Sequence, residues 1–349
     1  MQTLNRIIDE ALSGHVFSAY QFLGFTSREH TSLAGGVQGY WEGAQPVDES
    51  TLFDIGSVTK SVLTASVLAI AVDRKLLSFS DPVHKFVPEW KSLKLGDRLI
   101  GDCLNHCSGL VGWLPIYESL GKSSFRQWMI DHEKEVVVAK PRARVEYSDF
   151  GPLVLGEVIR SLCGDLETPF REWVIEPLGL SEVEFGPVDS TRSAWTEFSE
   201  VRGRLLQGEV FDDNSYALGG RCSHAGLFAT ARGLLPWARA WMAAYRGNSS
   251  WLSQQTAQLF ATAPKWVRDS SWAFGWDTKS AQGSSAGAHF SPKSFGHLGY
   301  PGCSVWIDPK NELGALFFTN RVHPSRLDER IRQVRPRVHD AFVKSLESA

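Results

Sequence analysis

No run of the 349-residue chain approaches the roughly 18 consecutive apolar residues of a membrane-spanning helix, so none is expected. A basic surplus is missing too. The chain has 36 Lys and Arg against 39 Asp and Glu, a formal net charge of −3, which disfavours nucleic acid as the partner because phosphates need cations to neutralise them. Cysteine is sparse and odd in number, at positions 103, 107, 163, 222 and 303, which argues against a disulfide framework. Cys103 and Cys107 fall on one helix face, but no second ligand pair matches them, and neither HExxH nor a paired CxxC occurs. They read as buried free thiols, with no metal expected. Asp9 and Glu10 stand where a signal peptide would carry its apolar run, so no secretion signal is read and a cytoplasmic location is expected. The composition of a disordered chain is also lacking: 43% hydrophobic and 21% charged residues are ordinary globular values. At about 150 residues per domain, the length suggests two domains' worth of chain.

Apolar periodicity outlines the elements. Leu4, Ile7, Ile8, Ala11 and Leu12 recur at helical spacing, and Gly14 stops them. Residues 15–56 alternate short apolar stretches with glycines and read as strands and turns. Val58 to Lys75 is apolar nearly all round, which marks a buried helix. Residues 76–205 read as mostly helical, with Gly164 ending one helix and Thr168 capping the next ahead of Pro169. Residues 206–230 read as loop, and helices return over Leu234–Tyr245 and, behind a serine cap, Ser253–Ala263. Pro309 to Glu312 reads as a hairpin turn between Val305–Asp308 and Leu313–Phe318. Leu327, Ile331, Val334, Val338 and Phe342 mark a last helix, kinked at Pro336. This order predicts a mixed α/β (α+β) domain made from 1–75 and 206–349, with a mainly helical domain, 76–205, inserted.

The chemistry concentrates at Ser57-Val58-Thr59-Lys60, where an apolar strand runs into the buried helix. Residues three apart share a helix face, so the Lys60 amine can reach the Ser57 hydroxyl. Ser57 falls in the first turn, where unpaired N–H groups and the helix dipole favour a developing anion. Burial is expected to depress the Lys60 pKa, fitting the amine to accept the serine proton.

Two other segments accompany it in order: Tyr147-Ser148-Asp149 before another apolar helix, and His297-Leu298-Gly299 opening a strand pair. Together they resemble the S-x-x-K, Y-x-N and K-T-G or H-x-G elements of the serine β-lactamase and penicillin-binding-protein superfamily. The branch is that of class C β-lactamases, D,D-peptidases and family VIII esterases. Leu104 to Leu110, Asp81-Pro82-Val83 with Pro88-Glu89, Tyr216 to Gly220 with His224 to Phe228, Trp306 to Pro309 and Thr319 to Pro324 extend the resemblance over roughly residues 3–345. It implies a β-lactamase/transpeptidase-like fold, an antiparallel sheet flanked by N- and C-terminal helices with an inserted all-helical domain.

The resemblance implies roles as well. Ser57 would be the nucleophile, with Lys60 and Tyr147 sharing the proton work and the phenol pKa lowered by nearby cations. The backbone N–H groups of Ser57 and Tyr300 would form the oxyanion hole. His297 would hydrogen-bond or polarise Tyr147, and Gly299 would let substrate backbone approach the strand edge. Asp149 stands where the family often has asparagine, and an ionised carboxylate accepts hydrogen bonds without donating. With His297 in place of lysine, this favours an esterase or D,D-peptidase over a β-lactamase. Arg221 and Arg321 are weak candidates for binding a substrate carboxylate, each reading first as a surface or structural ion pair, and Trp113, Trp272 and Trp276 could form an apolar wall, although core packing is the better reading of any one of them. His106 and His224 read as structural hydrogen-bonders. The expected substrate is a small ester or peptide, with no cofactor. The competing readings are a β-lactamase and a non-catalytic binding or regulatory protein that keeps the fold.

Overall fold

The computed structural model describes residues 1–347. Its main sheet has six antiparallel strands in the order β2-β1-β11-β10-β9-β8. These are β1 (Ala19–Thr26), β2 (His30–Gly36), β8 (Asp277–Thr278), β9 (Phe295–Leu298), β10 (Ser304–Asp308) and β11 (Leu313–Thr319). The remaining strands form two small sheets. β3 (Phe53–Asp54), β7 (Leu227–Ala229) and β4 (Val183–Phe185) make one, and β5 (Trp195–Ser199) with β6 (Arg204–Gln207) the other.

Side chains alternate across a strand, so β1, β10 and β11 can bury both faces. Phe22, Trp306, Ala315 and Phe317 point to one side, where Leu4, Ile7 and Ile8 of the N-terminal helix Gln2–Ser13 meet Val334, Val338 and Phe342 of the C-terminal helix Ile331–Glu347. Leu23, Val305, Ile307, Leu316 and Phe318 point to the other, into the larger core that holds the helix Ala231–Tyr245 and residues 58–71. The hairpin turn between β10 and β11 falls where the sequence placed it, as do Gly14, Gly164 and the Ser253 cap.

Four local expectations are corrected. Asp165, not Thr168, accepts at the helix start, taking the Thr168 N–H and hydroxyl. Leu327 is 87% exposed and lies ahead of the last helix, which begins at Ile331. Residues 206–230 include strand β7 and the short helix Asp213–Ala217 as well as loop. The stretch 76–205, read as mostly helical, carries β4 and β5 near its end. No helix among the described residues is long and apolar enough to cross a membrane.

The buried helix starts with a turn closed by the Lys60 N–H on the Ser57 carbonyl at 3.0 Å. It winds as a π-helix over Lys60–Ala65 and continues as an α-helix to Asp73. Ser66 anchors it in the core: its hydroxyl accepts from the indole N–H of Trp237 (2.9 Å) and of Trp241 (3.2 Å) and donates to the Ser61 carbonyl. Replacing Ser66 with alanine would orphan two buried donors, so a loss of about 2 kcal/mol or more is expected in denaturant unfolding.

Candidate active site

Three distant segments meet at the mouth of a cleft of about 1280 Å³. Ser57 comes from the junction of β3 with the buried helix, Tyr147 and Asp149 from the turn before the helix Phe150–Cys163, and His297 to Tyr300 from the end of β9. Lys60 Nζ donates to Ser57 Oγ at 2.8 Å, to Asp149 Oδ1 at 2.7 Å and to the His224 carbonyl at 3.2 Å, which uses all three ammonium donors. The Tyr147 ring lies beside them, its centroid 5.1 Å from Lys60 Nζ. Tyr147 is 40% exposed and lines the cleft.

The Tyr147-Ser148-Asp149 turn is held firmly. Ser148 Oγ donates to the Val111 carbonyl at 2.6 Å and accepts the Phe150 N–H at 3.0 Å. The Ser148 N–H donates to Nδ1 of His106, whose ring packs 4.7 Å from Tyr147 and 4.6 Å from Trp272. Asn105 binds the Trp272 and Ala273 carbonyls. The segment Leu104 to Leu110 therefore acts as a bracket for Tyr147 and for the Trp272 wall.

The electrostatics overturn two expectations. Burial alone would lower the Lys60 pKa, but Asp149 and Tyr147 outweigh it, and the amine is held above its ordinary range. Burial also raises the Tyr147 pKa; Lys60 pulls it down, and Asp149 opposes that pull. At neutral pH the resting site thus holds an ammonium and a neutral phenol.

His297 does not bond Tyr147. Its Nδ1 donates to the Leu298 carbonyl at 2.8 Å, which leaves Nε2 unprotonated and without a partner. Burial, and then the Lys60 charge, push its pKa down to about 3, so the ring stays neutral. Gly299 also serves the fold: a Cβ there would lie 2.2 Å from the Ile55 carbonyl, so the missing side chain lets β9 pass the strand that leads to Ser57. At Gly56, in the left-handed region at φ +54, a Cβ would lie 3.2 Å from the Tyr300 nitrogen, which brings that N–H beside the helix start. Neither the Ser57 nor the Tyr300 N–H has an acceptor among the described residues.

Trp113 and Trp272 line the cleft, but Trp276 is fully buried and stacks on Trp237 at 5.4 Å. Arg221 pairs with Glu167 and does not line the cleft, whereas Arg321 does. Cys103 and Cys107 are buried thiols, each with its pKa raised mainly by burial.

Sequence reasoning missed Asp212. It accepts the Ser215 N–H at 2.7 Å and pairs with His224 Nε2 at 3.0 Å. Asp149, Asp212 and His224 present ligand atoms within 4.8 Å of one another, a spacing that suits a cation, and the Lys60 ammonium on Asp149 supplies a positive charge there. Asp212 and His224 stand twelve positions apart, so no short spacing marks the pair in the sequence.

The family model Beta-lactamase matches residues 7–338, and the chain belongs to that family. It is 30% identical over 311 residues to the N-acetylmuramyl-L-alanine amidase of Bacillus subtilis, covering 80% of this chain and 70% of that one. It is 26% identical over 307 residues to a provisionally named D-alanyl-D-alanine carboxypeptidase of Salmonella gallinarum, covering 78% and 70%. Its fold resembles that of EstCE1, a hydrolase with promiscuous acyltransferase activity, with a TM-score of 0.77 at 20% identity over 97% and 98% of the two chains.

The buried pair makes a pH prediction for stability. Burial opposes charging His224, but Asp212 outweighs it and raises the pKa to about 10. A base with a raised folded pKa adds stability that is fully present below its unfolded value, about 6.5, and lost as pH rises through about 10. Chemical unfolding from pH 7 to 10 should show that decline, and Asp212→Asn should flatten it.

Proposed function

We propose that the protein is a serine hydrolase that forms an acyl-enzyme on Ser57 from a D-amino-acid peptide or a small ester. The observation that carries this reading is the contact of Lys60 Nζ with Ser57 Oγ at 2.8 Å, with the Tyr147 ring centroid 5.1 Å from the same ammonium. The amidase and carboxypeptidase names of the relatives support an amide of a cell-wall peptide as one such substrate.

In this reading Ser57 Oγ attacks the carbonyl carbon and its proton passes to the Lys60–Tyr147 pair. The developing oxyanion is received by the Ser57 and Tyr300 N–H groups, already free of other acceptors. The bond to the leaving nitrogen or oxygen then breaks as the pair returns the proton to it. Water attacks the ester on Ser57 by the same proton route. All the acid–base and oxyanion roles are filled by the chain's own groups.

The resting protonation state has a consequence. The pair must lose one proton before it can accept another, so activity should rise with pH on the alkaline side. The Asp149 anion favours the Lys60 ammonium and disfavours the Tyr147 phenolate, opposing that loss on both counts. Asp149→Asn should therefore move the rising limb of the kcat/KM profile to lower pH. A limb unmoved by the change would remove Asp149 from the proton economy.

A β-lactamase is disfavoured for two reasons. Asp149 offers a substrate amide carbonyl no donor, and neutral His297 supplies no cation. The non-catalytic alternative is tested directly. Incubation with a fluorescent penicillin or a nitrophenyl ester should add an acyl mass to the intact protein, and Ser57→Ala should abolish it and lower kcat/KM by a factor on the order of 10³ or more. No adduct with any acyl donor would leave a binding protein.

A further inference from the structure

Asp54 ends β3, three positions before Ser57, and is buried at 3% exposure. Its two carboxylate oxygens have different partners. Oδ1 accepts the Gly56 N–H at 2.8 Å, and Oδ2 accepts the Phe211 N–H at 2.6 Å, from a segment 157 positions away. The first bond closes a local turn, which asparagine closes as well. The second is long-range. Holding two N–H groups on two separate oxygens needs a carboxylate, because an asparagine offers one oxygen. Burial opposes that choice of residue. It raises the Asp54 pKa to about 6, against the pull of both N–H bonds. Arg202 also favours the anion, but its guanidinium is bonded to Asp213 at 2.8 Å, and no ion pair joins Asp54 among the described residues. An acid is costly in such a place, and the two contacts it makes are what offset the cost.

Both contacts lead to the same place. Gly56 immediately precedes Ser57, and a Cβ on it would lie 3.2 Å from the Tyr300 nitrogen and 2.5 Å from Pro301 Cδ. Fixing the Gly56 N–H therefore fixes the turn from which the Ser57 N–H leaves, where that turn passes Tyr300. On the other side, the Phe211 ring stacks on the Tyr300 ring, with 5.8 Å between centroids and 20° between planes. Fixing the Phe211 N–H places the ring that backs Tyr300. The Asp54 carbonyl adds a third tie, accepting the Cys303 thiol at 3.5 Å from the segment just beyond Gly299. The Tyr300 carbonyl is held separately, by Arg321 Nε at 2.9 Å. What Asp54 adds is the register between the Ser57 and Tyr300 backbones.

We infer that Asp54 is a positioning residue for the oxyanion hole: one carboxylate sets the spacing of the two donors, the Ser57 N–H through Gly56 and the Tyr300 N–H through Phe211. This rests on the hydrolase reading and deepens it, by assigning a residue that acts without touching the reacting atoms. The two N–H groups receive an oxyanion together only if they converge on one point, and a displacement of about 1 Å costs on the order of a hundredfold in rate.

The test compares para-nitrophenyl acetate with its thiono analogue, in which sulfur replaces the carbonyl oxygen, by the nitrophenol released. The two differ only in the atom that the hole receives. The larger sulfur suits the donors poorly, so the unaltered protein should favour the oxygen ester. Asp54→Asn keeps the size of the side chain and one accepting oxygen, but it sets an NH2 group against the other N–H. It should lower kcat/KM for the oxygen ester by about tenfold or more, and lower the oxygen-to-sulfur ratio by a similar factor. A general loss of packing slows both esters alike and does not move that ratio. A ratio unmoved in folded Asp54→Asn overturns the inference and leaves the hydrolase intact. Should Asp54→Asn not fold, Phe211→Leu decides in its place: it keeps the N–H on Asp54 and removes the ring behind Tyr300. A fall in the ratio there supports the inference, and an unmoved ratio overturns it. No turnover of the oxygen ester, without a Ser57 adduct from any acyl donor, overturns the hydrolase reading itself.

Discussion

The ion pair between Lys60 and Asp149 governs the rest of the site. A lysine at the head of an apolar helix would ordinarily lose its proton to escape the low-dielectric surroundings. Here a carboxylate from a segment about 90 residues away is brought to 2.7 Å, and the charge stays. The ammonium then has three fixed acceptors, one of which is the Ser57 hydroxyl, so that hydroxyl is oriented by the same contact that solvates the cation. Anything that moves the turn carrying Asp149 changes the geometry of Ser57 and the charge of Lys60 together.

The fold serves that pair by rigid support from three sides. Ser66 and two tryptophans lock the helix behind Lys60; Ser148, His106 and Asn105 lock the turn bearing Tyr147 and Asp149; the missing side chain of Gly299 lets the end of β9 approach Ile55. The cleft is thereby left with unpaired polar atoms in a few places, the Nε2 of His297 among them. Asp212 and His224 Nε2, by contrast, are paired with each other at 3.0 Å.

Local pattern made much of this legible. The hairpin at Pro309 to Glu312, the glycine stops at 14 and 164 and the serine cap at 253 depend on a few adjacent residues, and they stand where the sequence placed them. Thr168 was misassigned because Asp165, three residues earlier, offers the stronger acceptor, and Leu327 because a single exposed leucine can extend an apolar period without belonging to the helix. Trp276 is the one of the three tryptophans stacked inside the core, and a one-dimensional pattern does not separate a tryptophan at a strand edge from a buried one.

What the sequence determined by itself was the set of reactive groups and the family that carries them, because residue types at short spacing constrain both. The protonation states were decided by tertiary structure alone. Lys60 is charged, and His297 neutral, through the balance of burial against charges from remote segments, and the distances in that balance exist only after folding. The reach of Asp54 was settled in the same way. Its residue type is ordinary in a turn, and only packing removes it from water and brings the Phe211 N–H to its second oxygen.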